Sequence, residues 1–187
     1  TEAPTLPVQI APAPGPDGLP GKLSAMLGTI PPRDGAKGTR RFEVFDVKQG
    51  TAPPPRFTIR DVTDKSVGIF EGDRPVLVYN HGLMTGEHVP EKDHRRTRAC
   101  YIHPVHGLDG EVITQDFPKD HYHHHGIFWT WPYIGVGEKT YDLWQGTGMD
   151  DRFVGWLARE AGPVAAVVGV ENGWFVDAEK LMIERVW

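Results

Sequence analysis

Glycine and proline recur along this chain so closely that no long helix can run between them. The 187 residues include 22 glycines and 17 prolines. Proline removes a backbone donor and glycine is entropically costly to fix, so each interrupts a regular element. The runs between the interruptions are rich in β-branched and aromatic residues, which favour strands. Many turns joining short apolar runs predict an all-β chain, built as an antiparallel β-sandwich or an open barrel.

Residues 1–40 hold eight prolines (Pro4, Pro7, Pro12, Pro14, Pro16, Pro20, Pro31 and Pro32) and read as an N-terminal arm. Within it, Val8-Gln9-Ile10 is a candidate edge strand, and Lys22–Ile30 a helical turn or loop. Residues 41–187 read as the β-sandwich domain. Phe42–Val47 starts it. Arg56–Val62 then alternates, with Phe57, Ile59 and Asp61 on one side and Thr58, Arg60 and Val62 on the other. Val67–Phe70 and Val76–Tyr79 complete a meander. Met84–Arg98 is a long polar loop, of a kind that often carries function. Ala99–Val105, Glu111–Thr114, Ile127–Trp131 and Thr140–Trp144 read as further strands. Asp150–Glu160 fits a strand and a helix alike, but Ala165–Glu171 looks like its hairpin partner, so a strand is favoured. Asn172-Gly173 has the composition of a hairpin turn, leading to Lys180–Trp187.

Net charge is −5 and the isoelectric point is near 6.0, so nothing electrostatic points to nucleic acid or an anionic membrane as a partner. No apolar run approaches the roughly 20 residues a membrane helix needs. Cys100 is the sole cysteine, which rules out an intrachain disulfide. The opening Thr1-Glu2-Ala3-Pro4 is compatible with a processed, exported chain. The closing Leu181–Trp187 reads as a strand that stops without a cap, as a portion of a larger domain would.

The densest chemistry lies in Asp116–Gly126. Four of the nine histidines fall within five residues, His121, His123, His124 and His125, and an aromatic run follows them. Imidazole exchanges protons near neutral pH and is the commonest metal ligand. If Asp120–Gly126 is extended, His121, His123 and His125 point one way, and Tyr122 and His124 the other. Such a face suits general acid–base work on a sugar hydroxyl or carbonyl. It suits equally a divalent metal (Zn, Cu or Ca) on His121 and His123. A cupin metal site is disfavoured, because Gly126-Ile127-Phe128-Trp129 stands where its glutamate would be. A two-histidine metalloprotease helix is excluded by Pro118 and Gly126. No phosphate loop, nucleophile elbow or dinucleotide fingerprint occurs.

Phe128, Trp129, Trp131, Tyr133, Tyr141 and Trp144 either fill a core or present stacking faces to a sugar ring. His103 and His81 lie at expected strand ends, where site residues gather. Arg98 ends a basic cluster that is either a solvated face or a carboxylate-binding group. Trp129, Trp131, Trp144, Arg98 and His81 are therefore candidates for holding substrate. His121, His123, His124, His103 and Asp120 are candidates for chemistry.

Five blocks occur in order: Tyr101-Ile102-His103-Pro104, Gly107–Val112, Asp116–His124, Gly126–Trp129 and Tyr141–Trp144. Together they resemble motifs of a bacterial family of uncharacterised proteins carrying the label PmoA-like, or "methane oxygenase". The resemblance runs from about Arg74 to Asn172. The family's block resembles Asp-His-Pro-His-His-Arg-Gly; here Tyr122 replaces the proline and His125 the arginine. The resemblance implies a larger all-β fold similar to the galactose-mutarotase supersandwich, and a secreted or periplasmic protein of polysaccharide-degrading bacteria. The label itself fits poorly, since the chain has neither a membrane span nor an established copper motif.

The expected function is thus an exported carbohydrate-active or carbohydrate-binding protein with a histidine-rich acid–base site. A non-catalytic sugar-binding module and a metal-dependent oxidase or hydrolase are the alternatives.

Overall fold

The computed structural model describes residues 8–27 and 54–187. Thirteen strands carry them: β1 Val8–Pro14, β2 Pro20–Leu27, β3 Phe57–Thr63, β4 Ser66–Glu71, β5 Arg74–Asn80, β6 Met84–Thr85, β7 Thr97–Arg98, β8 Tyr101–Val105, β9 Ile134–Val136, β10 Lys139–Tyr141, β11 Asp150–Ala161, β12 Ala166–Val176 and β13 Glu179–Val186. One short 3-10 turn, His94–Arg96, precedes β7, and no α-helix occurs among the described residues.

All pairings between strands are antiparallel. A four-stranded sheet has the order β3-β4-β5-β8, and a three-stranded sheet the order β11-β12-β13. Their inner faces meet. Val67 and Tyr79 of the first sheet pack with Val170 of the second, joined by Ile59, Ile102, Phe153, Trp156 and Val186. Val67 is fully buried, worth about 1.5–3 kcal/mol for a side chain of this kind. The chain is therefore an all-β antiparallel sandwich. A second cluster, Leu143, Met149 and Trp174, lies under β9, β10 and the end of β12.

The meander of β3, β4 and β5 forms where alternation places it, and Gly72, at positive φ, turns between β4 and β5. Asp150–Glu160 lies within β11. The ladder to β12 slips at Phe153/Gly155 and Trp156/Ala158. These bulges explain the mixed period, because each one shifts the alternation by a residue.

Asn172-Gly173 is not the turn that its composition suggests. Both residues lie inside β12, paired to β11 and β13, and Asp177 at φ 52° takes the turn instead. The buried Asn172 amide accepts from the Tyr79 hydroxyl at 2.9 Å and donates to Glu184 at 3.1 Å. Those cross-layer bonds hold it in the ladder.

The proline-rich start contributes a hairpin rather than a helical turn, since Lys22–Leu27 belongs to β2. The hairpin is tied to the sandwich. The Gln9 side-chain carbonyl accepts from the backbone N–H groups of Val164 and Ala165, and the Trp187 indole donates to the Gly18 carbonyl. The expected strand Phe42–Val47 lies outside the described residues.

Residues 106–149 depart most from expectation. Glu111–Thr114 and Ile127–Trp131 are not strands. Isolated bridges at His106–Val112, Ile102–Ile127 and Asp116–His125 hold residues 106–127 as an ordered loop on the edge of β8. Thr140–Trp144 contributes to a strand only through Thr140 and Tyr141, in β10. A strand needs a neighbour along its length, and here the backbone groups are met by turns.

Candidate functional site at the imidazole turn

Asp116 and His125 form the neck of the loop that carries the histidines. Their backbones bridge, Phe117 N–H donates to the His124 carbonyl at 3.0 Å, and Gly126 N–H donates to Gln115 at 2.8 Å. Above the neck the chain turns twice. His121 N–H donates to the Pro118 carbonyl and His124 N–H to the His121 carbonyl, each at 3.0 Å. Pro118 opens the first turn, and Lys119 and Asp120 occupy its centre. Phe117, at φ 45°, holds an uncommon backbone conformation just before it. Gly126, at φ 63°, lets the chain pass β8, where a Cβ would collide with the Ile102 carbonyl oxygen.

The expected alternation of imidazoles on a strand is thereby replaced. Turns bring residues three apart onto one side, so His121 stacks on His124 with ring centroids 4.8 Å apart and planes at 10°. His123 meets His124 edge-on at 4.6 Å and His121 at 5.8 Å. The rings of His123 and His124 each lie 6.2 Å from the Trp144 indole. His125 points away from them, into the protein.

His123 Nδ1 is buried with no hydrogen-bond partner in the protein. Burial, and then the charges of His124, His121 and Arg95, push its pKa below the ordinary imidazole value. Asp120 lies 3.1 Å from His121 Nδ1, and that bond holds its carboxyl below the usual range. Tyr122 flanks the turn on the side of His88 and Arg95. His88 Nε2 also lies 2.7 Å from the Phe117 carbonyl oxygen, bracing the turn from the long loop.

Beneath the turn, His125 is 2% exposed. Its Nδ1 lies 2.9 Å from Asp116 Oδ1, and Tyr101 donates its hydroxyl to Asp116 Oδ2 at 2.8 Å. Burial pushes His125 below the ordinary range, partly offset by Asp116. Tyr101, Phe117 and Phe128 enclose the ring. Asp116 and His125 belong to the histidine block but do not stand out in it. Only the pairing register shows that they close the loop.

The other candidates scatter. Trp144 is 39% exposed and joins the imidazoles. Trp129 and Trp131 are 59% and 53% exposed, and Trp131 packs on Trp174 at 5.6 Å. His103 lies by the neck of the loop rather than among the stacked imidazoles: its Nδ1 lies 2.9 Å from the Thr114 hydroxyl, and burial lowers its pKa, partly offset by Asp116. His81 packs on Phe153 and Trp156, at 5.0 and 5.3 Å, far along the chain from the cluster.

Arg98 leaves the solvated face altogether. It is 6% exposed, donating to Asp151 Oδ2 at 2.9 Å and to the Leu143 carbonyl at 2.7 Å, with the Phe128 ring against its guanidinium. The carboxylate it meets is internal. Asp151 and Glu184 are both pushed upward by burial, Asp151 to about 7. Sequence patterning could not single out these two, because acidic residues on a strand ordinarily face water.

Among the described residues, no group of three or more His, Cys, Asp or Glu side chains is arranged to hold a metal ion, and no helix is long and apolar enough to cross a membrane. No curated protein and no solved structure matches the chain. Residues 66–186, from β4 to β13, match the model of a family of unknown function, DUF6807, and the chain belongs to that family.

Proposed function

We propose that the imidazole turn and the indoles beside it form a saccharide-binding surface on an exported carbohydrate-active or carbohydrate-binding protein. The observation that carries this reading is the placement of His123 and His124 against the part-exposed ring of Trp144. An indole face packs on the apolar C–H face of a sugar ring while polar neighbours take its hydroxyls. Imidazoles at that edge can accept or return a hydroxyl proton near neutral pH.

Burial lowers the His123 pKa below the ordinary imidazole value, which favours the neutral ring that a general base requires. His121 and Asp120 form an outer pair that can pass a proton to solvent. Trp131, whose carbonyl accepts from the Leu143 N–H beside Trp144, presents a second exposed indole. Placement in the periplasm or outside the cell belongs to the same proposal, supported by the resemblance in the ordered motifs.

A glycan array probed with the wild type, Trp144→Ala and His123→Ala tests this. The wild type binds at least one saccharide, and Trp144→Ala binds it about tenfold or more weakly, as loss of one stacking face implies. His123→Ala binds more weakly by the loss of one polar contact; a loss of turnover of the bound saccharide beyond that, read in a separate assay, marks an enzyme. Absence of saccharide binding by the wild type ends the carbohydrate reading.

A further inference from the structure

A cleft of about 480 Å³ opens between the β9–β10 hairpin and the β12–β13 turn. Val136, Tyr141 and Leu181 line it with Lys139, Asp177 and Glu179. The volume lies within the roughly 300–1,000 Å³ of small-molecule sites. Its apolar lining rests on rigid structure, because Val136, Tyr141 and Leu181 pack against the buried cluster of Leu143, Met149 and Trp174. The charged side chains belong to exposed residues.

Asp177, at φ 52°, turns β12 into β13 and lines the cleft from the tip of that turn. Trp174, in the cluster under the cleft, links the cleft to the imidazole turn. Trp131 packs on it, Leu143 N–H donates to the Trp131 carbonyl at 3.2 Å, and Trp144 follows Leu143 in the chain.

We propose that this cleft is a second saccharide subsite, so that the ligand is an oligosaccharide spanning the cleft and the Trp144 surface. The inference rests on the reading of the imidazole turn as a sugar-binding surface. Tyr141 presents its ring to the sugar's C–H face. The carboxylates of Asp177 and Glu179 accept from hydroxyls, and the Lys139 ammonium donates to a ring or hydroxyl oxygen. Exposed Trp131 continues the track between the two sites.

The test is an NMR titration of the ¹⁵N-labelled protein with glucose, galactose, xylose and glucuronate in turn, following backbone and indole N–H signals. At least one sugar shifts Lys139, Tyr141 and Asp177–Glu179 saturably. Lys139→Met and Glu179→Gln, both at exposed positions that leave the core intact, weaken that response about tenfold, as loss of a charge-assisted hydrogen bond implies. Cleft signals that stay in place with every sugar overturn the proposal, as do shifts that neither variant alters. Shifts confined to His123, His124 and Trp144 overturn the cleft proposal and leave the turn reading standing. Shifts confined to the cleft overturn the turn reading and with it the spanning ligand.

Discussion

Arg98 and Asp151 meet inside the sandwich, with the guanidinium 2.9 Å from Asp151 Oδ2 and both side chains almost wholly buried. The pair joins β7 to β11. Through the Leu143 carbonyl it also holds the segment that ends in Trp144. A contact 53 residues apart in the chain thus sets where the exposed indole stands.

Removing one partner leaves a buried charge unpaired. Arg98→Met or Asp151→Leu alone should each cost about 3–5 kcal/mol of stability. The double variant Arg98→Met/Asp151→Leu should recover most of that loss. Urea unfolding of the four proteins gives the coupling directly. Additive losses in the double variant would show that the pair acts as two independent groups.

The pH dependence of stability carries a definite sign. Burial raises Asp151 to about 7, so between roughly pH 4 and 7 the native state holds a proton that the unfolded chain has released. Its contribution to stability is complete below the ordinary carboxylate pKa and is lost as pH rises through 7. The histidines with lowered values, His123, His125, His103 and His81, work in the opposite sense and weaken the fold as pH falls. Comparing wild type with Asp151→Asn isolates the carboxyl. The stability difference should move in the wild type's favour as pH falls from 7 to 5, by at most about 1.4 kcal/mol per pH unit. A difference that stays level over that range would contradict a raised Asp151.

Asp116 offsets part of the burial effect on His125. In Asp116→Asn the carboxylate charge is gone and the side chain's shape remains. The His125 pKa should fall further below the ordinary range, read from its ring ¹³C shift against pH. A rise would mean that the histidine is exposed to solvent. The same variant loosens the neck of the imidazole turn, so the His121–His124 amides should exchange faster with solvent.

Gly126 tests the path of the loop. A side chain there meets both a positive φ and the Ile102 carbonyl. Gly126→Ala should cost about 2 kcal/mol or more and lower the thermal midpoint by several degrees. An unchanged midpoint would mean that the loop does not pass β8 so closely.

The fold class was legible because it depends on local rules. Arg56–Val62 alternates, Gly72 turns, and β11 pairs with β12 where apolar runs and Gly162-Pro163 place them. Histidine density likewise marked the loop that carries the candidate site. Other features depended on partners distant in the chain. Asn172-Gly173 looks like a turn until Tyr79 and Glu184 hold Asn172 inside a ladder. The histidines look like one face of a strand until two turns stack His121 on His124 and send His125 to Asp116. Arg98 looks solvated until Asp151 meets it in the interior. The sequence by itself determined periodicity, turn chemistry and the kinds of side chain available. Tertiary structure alone decided which charges are buried together and which imidazoles share a surface, because burial and pairing arise from segments that meet only after the two sheets pack.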